Sequence, residues 1–142
     1  MAFPKPEPGL VIRYAYLWHE EAGKGYEEGT KDRPCVIIVS TEEAEGETLV
    51  RVAPITHGPP IEAAEAVEIP ELTKERLGLD DARSWVVVSE TNLFIWPGPD
   101  VRPIQPGKFT YGFLPPKLFT QVRDQLIAFY RAKTHKSTRR TE

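Results

Sequence analysis

The sequence predicts a mainly β domain that ends in one amphipathic helix. Fourteen prolines and ten glycines in 142 residues interrupt the chain too often for a helical bundle. Runs rich in β-branched and aromatic residues recur between these breaks as far as Trp96. Only the segment after Pro115 repeats its apolar residues at helical spacing.

The elements follow in order. After the Pro8-Gly9 turn, "LVIRYAYLW" (Leu10 to Trp18) reads as a first strand whose only charge is Arg13. His19 to Asp32 holds three glycines, five acidic residues and two lysines, the composition of a mobile surface loop, and its length exceeds a normal connection. "RPCVIIVS" is a second strand with Pro34 near its start and "CVIIV" buried. "TEEAEGE" is a polar hairpin turn, and "TLVRVAPIT" (Thr48 to Thr56) is a third strand ended by "HGPP". "EAVEIP" is a short alternating strand with Val67 and Ile69 on one face. "ELTKERLGL" gives a short helical turn closed by Gly78, followed by strands in "SWVVVS" and "TNLFIW". The closing helix places Pro116 in its first turn and brings Leu118, Phe119, Val122, Leu126, Phe129 and Tyr130 to one face. The expected organisation is one domain over residues 1–134 and a disordered basic tail over 135–142.

Bulk chemistry narrows the function classes. A net charge of −3 argues against unselective nucleic-acid binding but leaves room for a local basic groove. The single cysteine, Cys35, allows no disulfide within the chain, which fits a reducing cytoplasm. The prolines at 4, 6 and 8 are unlike a secretory signal, and no apolar run approaches the roughly 18 residues of a membrane helix. His19, His57 and His135 lack metal-ligand spacing, so neither a metal nor a cofactor is expected. Phosphate-binding glycine loops and nucleophile elbows do not occur.

Two strand ends carry the remaining chemistry. Arg33-Pro34 opens one buried strand, and "APITHGPP" closes another. If these strands are antiparallel neighbours, Arg33 faces Thr56 and His57. An arginine fork matches a phosphate, and a threonine hydroxyl can orient one of its oxygens. The plainer reading is a surface ion pair for Arg33 and ordinary strand residence for Thr56. His57 is either a proton carrier or an exposed turn residue, and Glu28 either a base or a salt-bridge partner. Trp18 is the better stacking candidate for a base than Trp85 or Trp96, which read as core aromatics. Asp32, beside Arg33, either orients that arginine or neutralises it.

A "PG-x-V" start, a loop rich in Gly and Glu, "RP" followed by "VIIVS", and "V-x-PIT" together resemble the MazF/PemK family of type II toxin–antitoxin toxins. The likeness runs from Pro8 to Ile104 and includes the closing helix, and "TNLFIWPGPDVRPI" is similar to a PemK-like subgroup. The resemblance implies an SH3-like small β-barrel of the CcdB/PemK type, a homodimer, and a cognate antitoxin lying across the RNA groove. It implies a metal-independent endoribonuclease, an mRNA interferase, acting on single-stranded RNA. Arg33 and Thr56 would be catalytic, Glu28 and His57 would serve acid–base work or positioning, and Trp18 and Lys31 would bind RNA. The ribose 2′-OH would attack the adjacent phosphate, with Arg33 stabilising the phosphorane and protonating the leaving oxygen while Thr56 holds the phosphate. The alternative is an inactive SH3-like binding module of the same fold, acting on a protein partner.

Overall fold

The computed structural model describes residues 3–25 and 31–140. The chain is mainly β, with strands β1 (Leu10–Tyr14), β2 (Arg33–Glu42), β3 (Thr48–Thr56), β4 (Ala66–Glu68), β5 (Trp85–Val87), β6 (Glu90–Ile95), β7 (Val101–Arg102), β8 (Thr110–Phe113) and β9 (Lys136–Arg139). Among the described residues three α-helices accompany them: α1 (His19–Gly23), α2 (Glu71–Leu77) and α3 (Pro116–Arg131). Among the described residues, no helix is long and apolar enough to cross a membrane.

The central strands are β1, β2 and β3, paired antiparallel. Alternation along them splits the interior into two clusters. Leu10, Ile12, Tyr14, Cys35, Ile37, Val50 and Val52 face one way and pack with Phe94, Val101 and Phe109. Val11, Val36, Ile38, Ala53 and Ile55 face the other way. That second face is covered by Leu77 of α2 and by Leu118, Val122 and Leu126 of α3. Each such aliphatic side chain contributes roughly 1.5–3 kcal/mol when fully buried, which is why a 16-residue helix stays on the sheet. Tyr130, expected on the buried face, is 62% exposed at the far end of α3.

Two irregularities shape the sheet. The β2–β3 register shifts between Ile37 and Val39, and beyond that bulge Val39 turns outward and is 42% exposed. The burial expected of "CVIIV" therefore stops at Ile38. Strand β3 changes partner, pairing with β6 over Leu49–Val52 and with β5 at Ile55 and Thr56. Pro54 sits at the changeover, where its missing N–H interrupts neither ladder. Helix α2 ends as the sequence indicates, with Gly78 in the left-handed conformation at φ 72°.

The N-terminal loop and the tail differ from expectation. Residues 19–23 form α1, whose start is fixed by Glu90: its Oε1 accepts from the His19 N–H at 3.0 Å and from the Tyr16 hydroxyl at 3.0 Å. The tail is not a disordered segment over residues 136–139. It forms β9, which adds in parallel to β6. Its sequence has no apolar signal because a charge anchors it. Arg140 is buried, pairs with buried Asp100 at 3.0 Å, and donates to the Ala15 carbonyl and to Asn92 Oδ1. Asn92 in turn accepts from the Leu17 N–H at 2.9 Å and donates to the Leu17 carbonyl at 2.7 Å. His135 Nε2 lies 3.2 Å from Thr91 Oγ1, which accepts from Arg51 at 2.7 Å. The arginine can only donate, so Thr91 Oγ1 accepts from it and keeps its own hydrogen and a second lone pair for His135, whichever tautomer that ring adopts.

Two predictions follow from the tail. Arg140→Ala removes the buried ion pair to Asp100 and should cost about 3–5 kcal/mol in urea unfolding. The double change Asp100→Asn with Arg140→Met should cost less than that single change. Burial, with help from the Arg51 charge, lowers the His135 pKa from 6.5 to about 4. The unfolded chain then binds more protons between about pH 6.5 and 4, so stability falls as pH falls through that window. His135→Gln should flatten that part of a Tm-against-pH curve relative to the wild type.

Candidate active site

The start of β2, the end of β3, the α2–β5 loop and Tyr111 of β8 enclose a cleft of about 450 Å³. Lys31, Asp32, Arg33, Pro34, Ile55, Thr56, His57, Gly58, Leu79, Asp80 and Ser84 are among its lining residues. The β2–β3 ladder ends at the pair Cys35↔Pro54, and Arg33 and Thr56 each lie two residues beyond it, both on the lining of the cleft. The two strand ends singled out in the sequence therefore meet. Lys31 and His57 join them, and Glu28 lies outside the described residues.

Arg33 is held by packing. Its guanidinium lies 4.9 Å over the ring of Trp18, and its Nε is buried without a hydrogen-bond partner. No ion pair to Arg33 occurs among the described residues. Trp18 thus uses one ring face to support Arg33, and the edge of Tyr16 meets it with centroids 5.0 Å apart. Asp32 does not neutralise Arg33. Successive residues of extended chain point to opposite faces, and Asp32 reaches Arg13 at 3.6 Å and Arg102 at 3.9 Å instead. Those arginines are cross-strand partners of β1 and β7.

Thr56 Oγ1 accepts from the Gly58 N–H at 3.2 Å, which leaves its hydroxyl hydrogen free to donate. That small turn carries His57, whose Nε2 lies 2.7 Å from Asp80 Oδ2. The other Asp80 oxygen accepts from Lys74 Nζ at 3.1 Å and from the Ala82 N–H at 3.1 Å. Lys74 is buried on α2, with its side chain 5% exposed. Burial works to raise the Asp80 pKa, but the Lys74 hydrogen bond, the His57 charge and the Ala82 N–H outweigh it and hold the carboxyl below its ordinary range. Tyr111 is shifted up, chiefly by burial. Asp80, Lys74 and Tyr111 were not legible as site residues. The one local hint is Gly78, which ends α2 and turns the following "LDD" back towards the cleft.

Trp85 is buried and Trp96 packs on the Phe94 cluster, as core aromatics do. No family model and no curated protein matches this chain.

Cys35 stands directly behind Arg33, fully buried, and burial pushes its thiol well above the ordinary range against the pull of the Arg33 charge. It should resist alkylation by iodoacetamide at pH 8 in the native protein and react within minutes in 6 M-scale denaturant, as read by intact mass. Rapid native labelling would contradict the packing described.

Proposed function

We propose that this protein is a metal-independent endoribonuclease acting on single-stranded RNA, the toxin of a type II toxin–antitoxin pair of the MazF/PemK kind. The observation that carries the reading is the meeting of Arg33, from the start of β2, and Thr56, from the end of β3, in the lining of one cleft. Arg33 brings an orphaned buried donor and no carboxylate partner among the described residues, so its charge is available to an anion. A phosphodiester seated there receives the Arg33 fork and the Thr56 hydroxyl. In-line attack by the neighbouring 2′-OH then gives a 2′,3′-cyclic phosphate and a 5′-OH. Arg33 stabilises the charge that grows on the phosphorane. A guanidinium keeps its protons at any working pH, so proton transfer falls to another group. Lys31 at the cleft rim adds attraction for the flanking strand.

The same reading takes the sheet as an SH3-like small barrel. Its support is that β1, β2, β3, β6 and β7 all contribute to one cluster on a single face, as a sheet curled on itself would arrange them. The reading also carries a homodimer, a cytoplasmic location, and an antitoxin segment covering the cleft.

Purified protein in EDTA should cut an unstructured RNA to products with cyclic-phosphate and 5′-OH ends. Arg33→Ala should lower the rate by on the order of a hundredfold to a thousandfold, and Thr56→Val by on the order of tenfold to a hundredfold. RNA left intact by the wild type, or cut equally well by both variants, would refute the proposal.

A further inference from the structure

The cleft holds a second constellation that the Arg33–Thr56 pair does not use. His57 follows Thr56 directly, its ring is 58% exposed, and its Nε2 is tied to Asp80 at 2.7 Å. A surface ion pair of this kind ordinarily forms and breaks with little consequence. Here the carboxylate cannot swing away, because its second oxygen is clamped by the buried Lys74 ammonium and the Ala82 backbone N–H. The Thr56–Gly58 turn fixes the histidine backbone from the other side.

Resting on the ribonuclease reading, we propose that His57 is the general base that removes the 2′-OH proton, and that Asp80 is the positioning residue that decides which ring nitrogen does so. An ionised Asp80 accepts, so Nε2 must carry the hydrogen. Nδ1 is then the basic nitrogen, and among the described residues it has no hydrogen-bond partner. The step balances simply. The proton of the 2′-OH passes to Nδ1, the O2′–P bond forms, the P–O5′ bond breaks, and the 5′ oxygen takes a proton from solvent. The imidazolium so formed is stabilised by the Asp80 carboxylate and later returns its proton to solvent. The charged and titratable groups around it are Asp80 and, behind it, Lys74 of α2; Lys31, Asp32 and Arg33 at the start of β2; and Tyr111 of β8. The low range of the Asp80 carboxyl keeps it charged where His57 works.

Asp80→Asn makes a sharp test because Lys74 and Ala82 both donate to the same oxygen. The asparagine must present its carbonyl there, which turns its NH2 towards His57. Nε2 is then forced to accept, the hydrogen moves to Nδ1, and the base is lost while the ring stays in place. Cleavage of single-stranded RNA would be followed from pH 5 to 9 for the wild type, His57→Gln and Asp80→Asn. Binding would be measured on a strand carrying a 2′-deoxyribose at the cleavage point, and the His57 tautomer by 15N NMR. The expected result is a wild-type rate that rises with pH through a single ionisation. Both variants should lose on the order of a hundredfold to a thousandfold in rate and lose that rise, with binding of the deoxy strand within a few-fold of the wild type. The tautomer should be Nε2–H in the wild type and Nδ1–H in Asp80→Asn. Cleavage by His57→Gln within threefold of the wild type, with the pH rise intact, overturns the inference and leaves the ribonuclease reading standing. An Nδ1–H tautomer in the wild type overturns the role of Asp80. A wild type that cuts no RNA at any pH sinks the ribonuclease reading itself and this inference with it.

Discussion

The antiparallel register of β2 on its two neighbours is the constraint on which the site depends. It pairs Cys35 with Ile12 on one side and Pro54 on the other. Every later feature follows from that rung and from the two-residue period of a strand. Cys35 and Ile37 enter one core cluster and Val36 and Ile38 the other. Arg33 continues the Cys35 face to the sheet edge, where it reaches Trp18 and looks across to Thr56. Asp32 falls on the opposite face and is taken up by Arg13 and Arg102. A slip of one residue would exchange these roles, burying a carboxylate beside Thr56 and sending the arginine to two like charges.

Two charged residues with buried side chains hold the outlying segments to that centre. Lys74 fastens the α2–β5 loop by gripping Asp80, which brings that loop to the cleft. Arg140 fastens the tail, and its guanidinium also lies 5.5 Å over the ring of Tyr14, the strand partner of Arg33. A buried charge is expensive unless it is paired and hydrogen-bonded. Both meet that condition: Arg140 through Asp100, Asn92 and the Ala15 carbonyl, brought from distant parts of the chain, and Lys74 through Asp80, just past the end of its own helix. The tail is therefore part of the structural frame of the site even though it contributes no lining residue.

The site was legible in the sequence to the extent that it lies at strand ends. Buried runs can be read from composition, and whichever residues flank them must sit at the sheet edge, so Arg33, Thr56 and His57 could be named in advance. Trp18 was named for stacking, and it does stack, but on Arg33. Asp80 and Lys74 escaped because no period links residues 57, 74 and 80; only the packing of α2 brings them together. Strand β9 escaped for a different reason. "KSTR" has none of the apolar alternation that marks a strand, since it is an edge whose stability comes from the backbone of β6 and from one arginine.

The sequence by itself determined the mainly β character, the closing helix from Pro116, and the two strand ends that carry an arginine and a threonine. These rest on local properties: β-branched runs, helical spacing, and the punctuation of proline and glycine. Only the tertiary structure decided that Asp32 turns from Arg33 to Arg13 and Arg102, that Asp80 holds His57, and that the tail belongs to the sheet. Each of those outcomes is a choice among several oppositely charged partners. Coulomb attraction is blind to sequence distance, so the partner is chosen by which strand face and which helix the fold brings within a few ångströms.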